Sequence, residues 1–101
     1  MAYKVAWAES ALDDLTEAVE YIARDSPGYA ASVATRAVRA AESLSELPHR
    51  GRRVPEFHDE HVREIIVVNY RMIYHVSATM VNIIAFVHAA RDLAAYVRDH
   101  T

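Results

Sequence analysis

The feature that most constrains this chain is a change of hydrophobic period between its two halves. In the first half apolar residues recur every three or four positions: Leu12, Leu15, Val19 and Ile22, then Val33, Ala37, Ala40, Leu44 and Leu47. That spacing places them along one side of a helix and leaves the acids on the other. In the last third the apolar residues are β-branched and come in short continuous runs, at residues 62–68, 70–76 and 81–88. Such runs read as strands. A helical half followed by a stranded half predicts a two-layer α+β domain.

Local signals divide these halves further. Residues 3–7 (Tyr-Lys-Val-Ala-Trp) alternate in type and predict a short strand ahead of the helices. Ser10, with Asp13 three residues on, has the form of a helix N-cap, and the early acids suit the positive end of a helix dipole. Ser26-Pro27 is the clearest punctuation: Pro27 disfavours helical geometry before it and suits the first position of a second helix capped by Ser26. The alanines at 30, 31, 34, 37, 40 and 41 favour that helix, and Pro48 is its expected stop. So short a connection predicts an antiparallel helical hairpin. Residues 48–61 read as a loop with a short strand around Arg53-Val54. Asn69 supplies a turn, and residues 77–80 separate the last two strands of an antiparallel meander. Residues 93–98 are expected to make one or two helical turns. The architecture is thus an N-terminal strand, a helical hairpin and a mainly antiparallel sheet, in a single domain spanning residues 1–101. Two helices cover one sheet face only, so a partner's helix or strand is expected on the other.

Composition narrows the classes of function. With 101 residues there is room for one domain. The chain has no cysteine, which excludes a disulfide framework and a thiolate metal site and favours a cytoplasmic setting. The N-terminus carries no secretory signal, and no stretch reaches the roughly 20 apolar residues of a membrane helix. The formal charge of −3 argues against direct DNA binding by this chain alone. Its distribution is uneven. Glu9, Asp13, Asp14, Glu17, Glu20 and Asp25 crowd the first helix, where Arg24 is the sole base. From Arg63 onward four arginines face three acids.

The second half holds an ordered series: Leu47-Pro48, Gly51-Arg52, Val62-Arg63-Glu64, Tyr70-Arg71-Met72-Ile73-Tyr74 and His88-Ala89-Ala90-Arg91-Asp92. In order and spacing it resembles the ParE/RelE toxin superfamily, and with the N-terminal strand and helix pair the resemblance covers nearly the whole chain. The resemblance implies the toxin of a type II toxin–antitoxin system, neutralised by a small antitoxin that folds on it and often represses its own operon. RelE-like members cut mRNA in the ribosomal A site. ParE-like members lack that catalytic set and poison DNA gyrase.

Arg63, Arg71, His88, Arg91 and Tyr96 are the candidate catalytic residues of a ribonuclease reading. In an RNA-cleaving relative the arginines would hold the scissile phosphate, which planar guanidinium donors grip bidentately. His88 has a side chain that titrates near neutrality and suits proton transfer. Each has a structural alternative. Strand alternation puts Arg71 on one face with Ile73 and His75, opposite Tyr70, Met72, Tyr74 and Val76, where an acid such as Glu64 could pair with it. His88 could be satisfied by a neighbouring carboxylate or carbonyl, and Tyr96 could simply pack the C-terminal turn. The RNA-cleaving branch carries a second basic residue two positions after the first, close to Ile65 here, which cannot bind phosphate. That weighs for the ParE branch, with gyrase as target and the ribosome as the alternative. Arg63, Arg71, Tyr74 and Arg91 are then the candidate contacts to target or antitoxin. No cofactor or metal is expected: His58-Asp59-Glu60-His61 lies in a loop without a helical pair of ligands.

Overall fold

Two helices form in the alanine- and leucine-rich half, α1 (Glu9–Ala23) and α2 (Pro27–Ser43). This computed structural model describes residues 2–100, apart from the side chains of Tyr96, Val97, Asp99 and His100. Ser26 caps α2 as expected: its extended backbone breaks the helical run, and its Oγ accepts the Tyr29 N–H at 3.2 Å. The start of α1 differs from the expectation. The helix begins at Glu9 behind Ala8, which offers no side-chain cap, and Ser10 lies inside the first turn. The reason is the strand before it. The Ala8 N–H donates to the Ile83 carbonyl at 2.8 Å, so sheet pairing runs to the residue where the helix starts.

The strands are β1 (Lys4–Trp7), β2 (Arg52–Arg53), β3 (Val62–Val67), β4 (Tyr70–Val76) and β5 (Met80–His88), and a helix α3 (Leu93–His100) follows. They form one sheet in the order β1-β5-β4-β3-β2. β1 runs parallel to β5, with Lys4 opposite Met80 and Trp7 opposite Ile83, and the other pairings are antiparallel. A register shift between Ile73 and Tyr74 leaves Ile84 without an opposite number, so Ile83 and Phe86 both reach the helical side. The turn from β3 to β4 places its left-handed residue at Val68 (φ 57°) rather than at Asn69.

The main core lies between the helical hairpin and one sheet face. It gathers Ala11, Val33, Ala37, Ala41 and Leu44 against Met72, Tyr74, Val81, Ile83 and Phe86. Alanines make the closest approach on α1, where Ala11 and Ala18 are buried and Leu15, Val19 and Ile22 flank them. Leu12, expected in the apolar stripe, is 47% exposed on the outer flank, and Leu47 lies beyond the end of α2 at 60% exposure. The second sheet face also departs from expectation. Val54 and Phe57 of the 54–61 loop and Leu93 of α3 close over Val62, Ile73, Ala85 and Val87 in a second cluster. Each of those four sheet residues is at most 4% exposed, so the chain covers this face with its own loop and helix rather than leaving it to a partner.

Candidate functional site

Alternation along β3 sends Arg63 and Glu64 to opposite faces of the sheet, and two polar clusters follow from it. Arg63 points to the helical side. One of its terminal nitrogens donates to the Gly51 carbonyl at 2.8 Å, while its Nε is buried without a partner among the described residues. The Gly51 N–H in turn donates to the Tyr74 hydroxyl at 2.9 Å. Gly51 is thus held at both its backbone groups, and the chain passes so close to β3 and β4 that a side chain there has no room. Burial pushes the Tyr74 phenol above its ordinary value.

Glu64 points to the opposite face, where its side chain is 0% exposed. Arg52 from β2 donates to one carboxylate oxygen through Nε at 2.7 Å, and Arg71 from β4 donates to the other. Arg71 then reaches Glu56 in the 54–61 loop, with both terminal nitrogens at 3.0 Å from its two carboxylate oxygens. This fork-to-fork geometry fixes orientation as well as charge. Hydrogen bonds to Glu56 and Glu64 raise the Arg71 pKa well above its ordinary value, and the Arg71 hydrogen bond lowers that of Glu56. Glu56 therefore stabilises the fold above the ordinary carboxylate range, and the contribution is lost as pH falls through its depressed folded value. Its side chain is 31% exposed, so solvent screening keeps the effect to no more than about 1 kcal/mol. Urea titrations at pH 7 and pH 3 are expected to show a Glu56→Gln midpoint below the native one at pH 7 and a narrower gap at pH 3.

The candidate residues do not converge. Arg63 and Arg71 lie on opposite sheet faces, the first at the Gly51 loop and the second between two carboxylates. The structural alternative for Arg71, pairing with Glu64, is the arrangement found. Tyr74 is 0% exposed and presents no surface to a partner, which corrects its reading as a contact residue. His88 and Arg91 are exposed together at a third place, beyond the end of β5, where the His88 ring stands edge-on to Tyr70 at 5.3 Å. There His88 Nδ1 accepts the Ala90 N–H at 3.1 Å, a backbone donor rather than the carboxylate or carbonyl expected of its structural alternative. Tyr96 falls in α3, and its side chain is outside the described residues. Arg52 and Glu56, which complete the cluster around Arg71, are not legible from sequence, because only strand register and the loop's path bring them there. In the 58–61 segment Asp59 and His61 pair with each other at 3.2 Å. Among the described residues no group of three or more His, Asp or Glu is placed to hold a metal ion, and no helix is long and apolar enough to cross a membrane.

This fold is that of toxins solved within toxin–antitoxin complexes. It overlays a chain of the chromosomal ParDE toxin–antitoxin system of P. aeruginosa with a TM-score of 0.70 at 17% identity, covering 86% of this chain and 96% of that one. It overlays a chain of the RelBE2 toxin–antitoxin complex of Mycobacterium tuberculosis at 0.60 and 24% identity, covering 87% and 99%. Residues 5–93 match the family described as the ParE toxin of the type II toxin–antitoxin system parDE. Toxin RelE2 of Caulobacter vibrioides is 40% identical over 89 residues, which cover 87% of this chain and 97% of that protein. The chain belongs to the ParE toxin family, within the ParE/RelE superfamily of type II toxins.

Proposed function

We propose that this toxin acts in the cytoplasm by binding DNA gyrase, without catalysis of its own, and that a cognate antitoxin holds it inactive between episodes of release. The observation that carries this reading is the dispersal of its arginines. In-line cleavage of RNA needs several cations aimed at one phosphate. Here Arg63 is spent on a backbone carbonyl on one sheet face and Arg71 on two carboxylates on the other. Ile65, next to them on β3, offers no charge. The antitoxin part draws on the two structural neighbours, both toxin–antitoxin systems.

A second reading is supported by the relative at 40% identity, which carries the name Toxin RelE2. In a ribosome-dependent endoribonuclease Arg63, Arg71 and Arg91 would hold the phosphate, and His88 or Tyr96 would assist proton transfer from the 2′-hydroxyl. Two assays separate the readings. Purified toxin is expected to inhibit gyrase supercoiling while mRNA on translating ribosomes stays intact. Cleavage in phase with codons, with supercoiling unaffected, would overturn the gyrase reading.

A further inference from the structure

Leu12 and Val38 are 47% and 45% exposed, although apolar side chains of a helical hairpin ordinarily turn toward the core. The link of residues 24–26 turns α2 back along α1, so positions 12 and 38 stand at about the same height across the seam between the helices. They share the outer face of the hairpin, away from the sheet, with the exposed Thr16, Ala31 and Thr35. The two sides of this face differ in shape. Leu12 projects from α1, whereas small residues hollow α2 into a shallow recess of about 320 Å³, lined by Ala34, Thr35, Val38, Arg39 and Glu42.

Charge is divided in the same way. Helix α1 has acids but no lysine or arginine, and Glu9 and Asp13 stand one turn apart beside Leu12. Like charges at that spacing work against a helix, and a cation brought close relieves them. Arg39 is such a cation, at the rim of the recess. The side chains of Glu9, Asp13, Arg39 and Glu42 make no hydrogen bond or ion pair among the described residues. A projecting leucine beside two acids and a hollow rimmed by a base are complementary, yet side by side on one face they cannot meet within one chain. Two copies bring them together. A two-fold axis along the seam lays each α1 over the other copy's α2, so the same contact forms twice. Each Leu12 then enters the other copy's recess, and each Arg39 reaches the other copy's Glu9 and Asp13. Glu42, one turn further along α2, falls at the start of the other copy's α1, which begins behind Ala8 without a side-chain cap.

We propose that the outer face of the helical hairpin joins two copies of this toxin in a reversible two-fold dimer. Helices of 15 and 17 residues lying side by side offer a footprint of roughly 450 Å² per copy. About 900 Å² in total is the size of a transient interface, which sets the dissociation constant in the range of about 10–100 µM. Asp14 and Tyr21, on the flank of α1 toward β5, stay outside the interface.

Sedimentation equilibrium of the full-length toxin over a concentration series from about 5 to 500 µM tests this. The native chain is expected to pass from monomer to dimer, and Leu12→Arg, a change at an exposed position, to weaken association about tenfold or more. Arg39→Glu and the double variant Glu9→Lys/Asp13→Lys are each expected to stay monomeric, since each sets like charges against each other twice. Mixed together they are expected to dimerise, because both contacts then pair opposite charges, and added salt should weaken the mixture. Circular dichroism confirms that every variant is folded. A native toxin that remains monomeric throughout overturns the proposal, and loss of gyrase inhibition or antitoxin affinity in Leu12→Arg would then give the face to that partner. Dimers that ignore Leu12→Arg, or a mixture of the reversed variants that stays monomeric, overturn it equally.

Discussion

Gly51→Ala is expected to lower the stability of this fold by about 2–3 kcal/mol, by over-packing at a site where the neighbours cannot yield. A methyl group at this position would sit 2.6 Å from the Glu64 carbonyl oxygen and 2.6 Å from the Tyr74 hydroxyl. The first is backbone in the paired part of β3, opposite Arg52, and the second belongs to a side chain that is 0% exposed. Relief therefore requires the loop to lift off the sheet. Lifting breaks the Gly51 N–H bond to Tyr74 and the Arg63 bond to the Gly51 carbonyl together, leaving buried donors without acceptors. Gly28 is the control. Nothing lies within 4 Å of a side chain built there, and it sits in the first turn of α2, so Gly28→Ala is expected to be neutral or slightly stabilising. Urea denaturation of both variants checks the contrast, and a Gly51→Ala cost below about 1 kcal/mol would show that the loop is not clamped as described.

Much of this fold is legible in the sequence because its strongest signals are local. Ser26-Pro27 dictates a helix boundary through backbone sterics alone, and the boundary is where it was expected. The three β-branched runs became β3, β4 and β5 with shifts of one residue at their ends. What failed depended on neighbours distant in sequence. Ser10 has the right chemistry for a cap, but pairing of residue 8 with β5 fixes the start of α1 two residues earlier than a Ser10 cap implies. Leu12 has the right spacing for a buried stripe, yet the alanines on the adjoining face let α1 sit close to the sheet and turn Leu12 outward. Small residues carry little weight in a hydrophobic pattern and much in deciding which face comes nearest.

The candidate site divides in the same way. Strand alternation groups Arg71 with Ile73 and opposite Met72 and Tyr74, and the structure keeps that grouping, with the face of Ile73 turned away from the helices. It does not tell that residues 54–61 fold back over that face, since a loop with two prolines nearby and mixed charge gives no periodic signal. Glu56 and Arg52 therefore entered the cluster unannounced. The acidic excess of the first helix is plain in the sequence, but its apposition to Tyr70 and Phe86 across an open groove depends on β5 running past the end of β1.

Glu64→Ala is expected to cost about 3 kcal/mol, because truncating one partner of a buried ion pair strands the other and opens a cavity. The loss falls unevenly on its two arginines. Arg52 has a side chain 66% exposed and returns to solvent, so Arg52→Ala alone is expected to cost less than about 1 kcal/mol. Arg71 is only 10% exposed, keeps Glu56, and loses its buried acceptor. Replacing both buried members by apolar residues of similar size, as in Glu64→Leu/Arg71→Met, removes the stranded charge as well as the pair. That double variant is expected to lie within about 1 kcal/mol of the native chain. It also tests, by means independent of stability, whether Arg71 does more than fasten the loop. A cluster that only fastens the 54–61 loop can be replaced without loss, so the double variant should still arrest growth and inhibit supercoiling. If Arg71 instead leaves Glu56 to hold a scissile phosphate, the folded double variant will be inactive. Growth arrest measured beside a urea midpoint therefore decides whether Arg71 is a fastener or a ligand, and the bidentate bond to Glu56 favours the first.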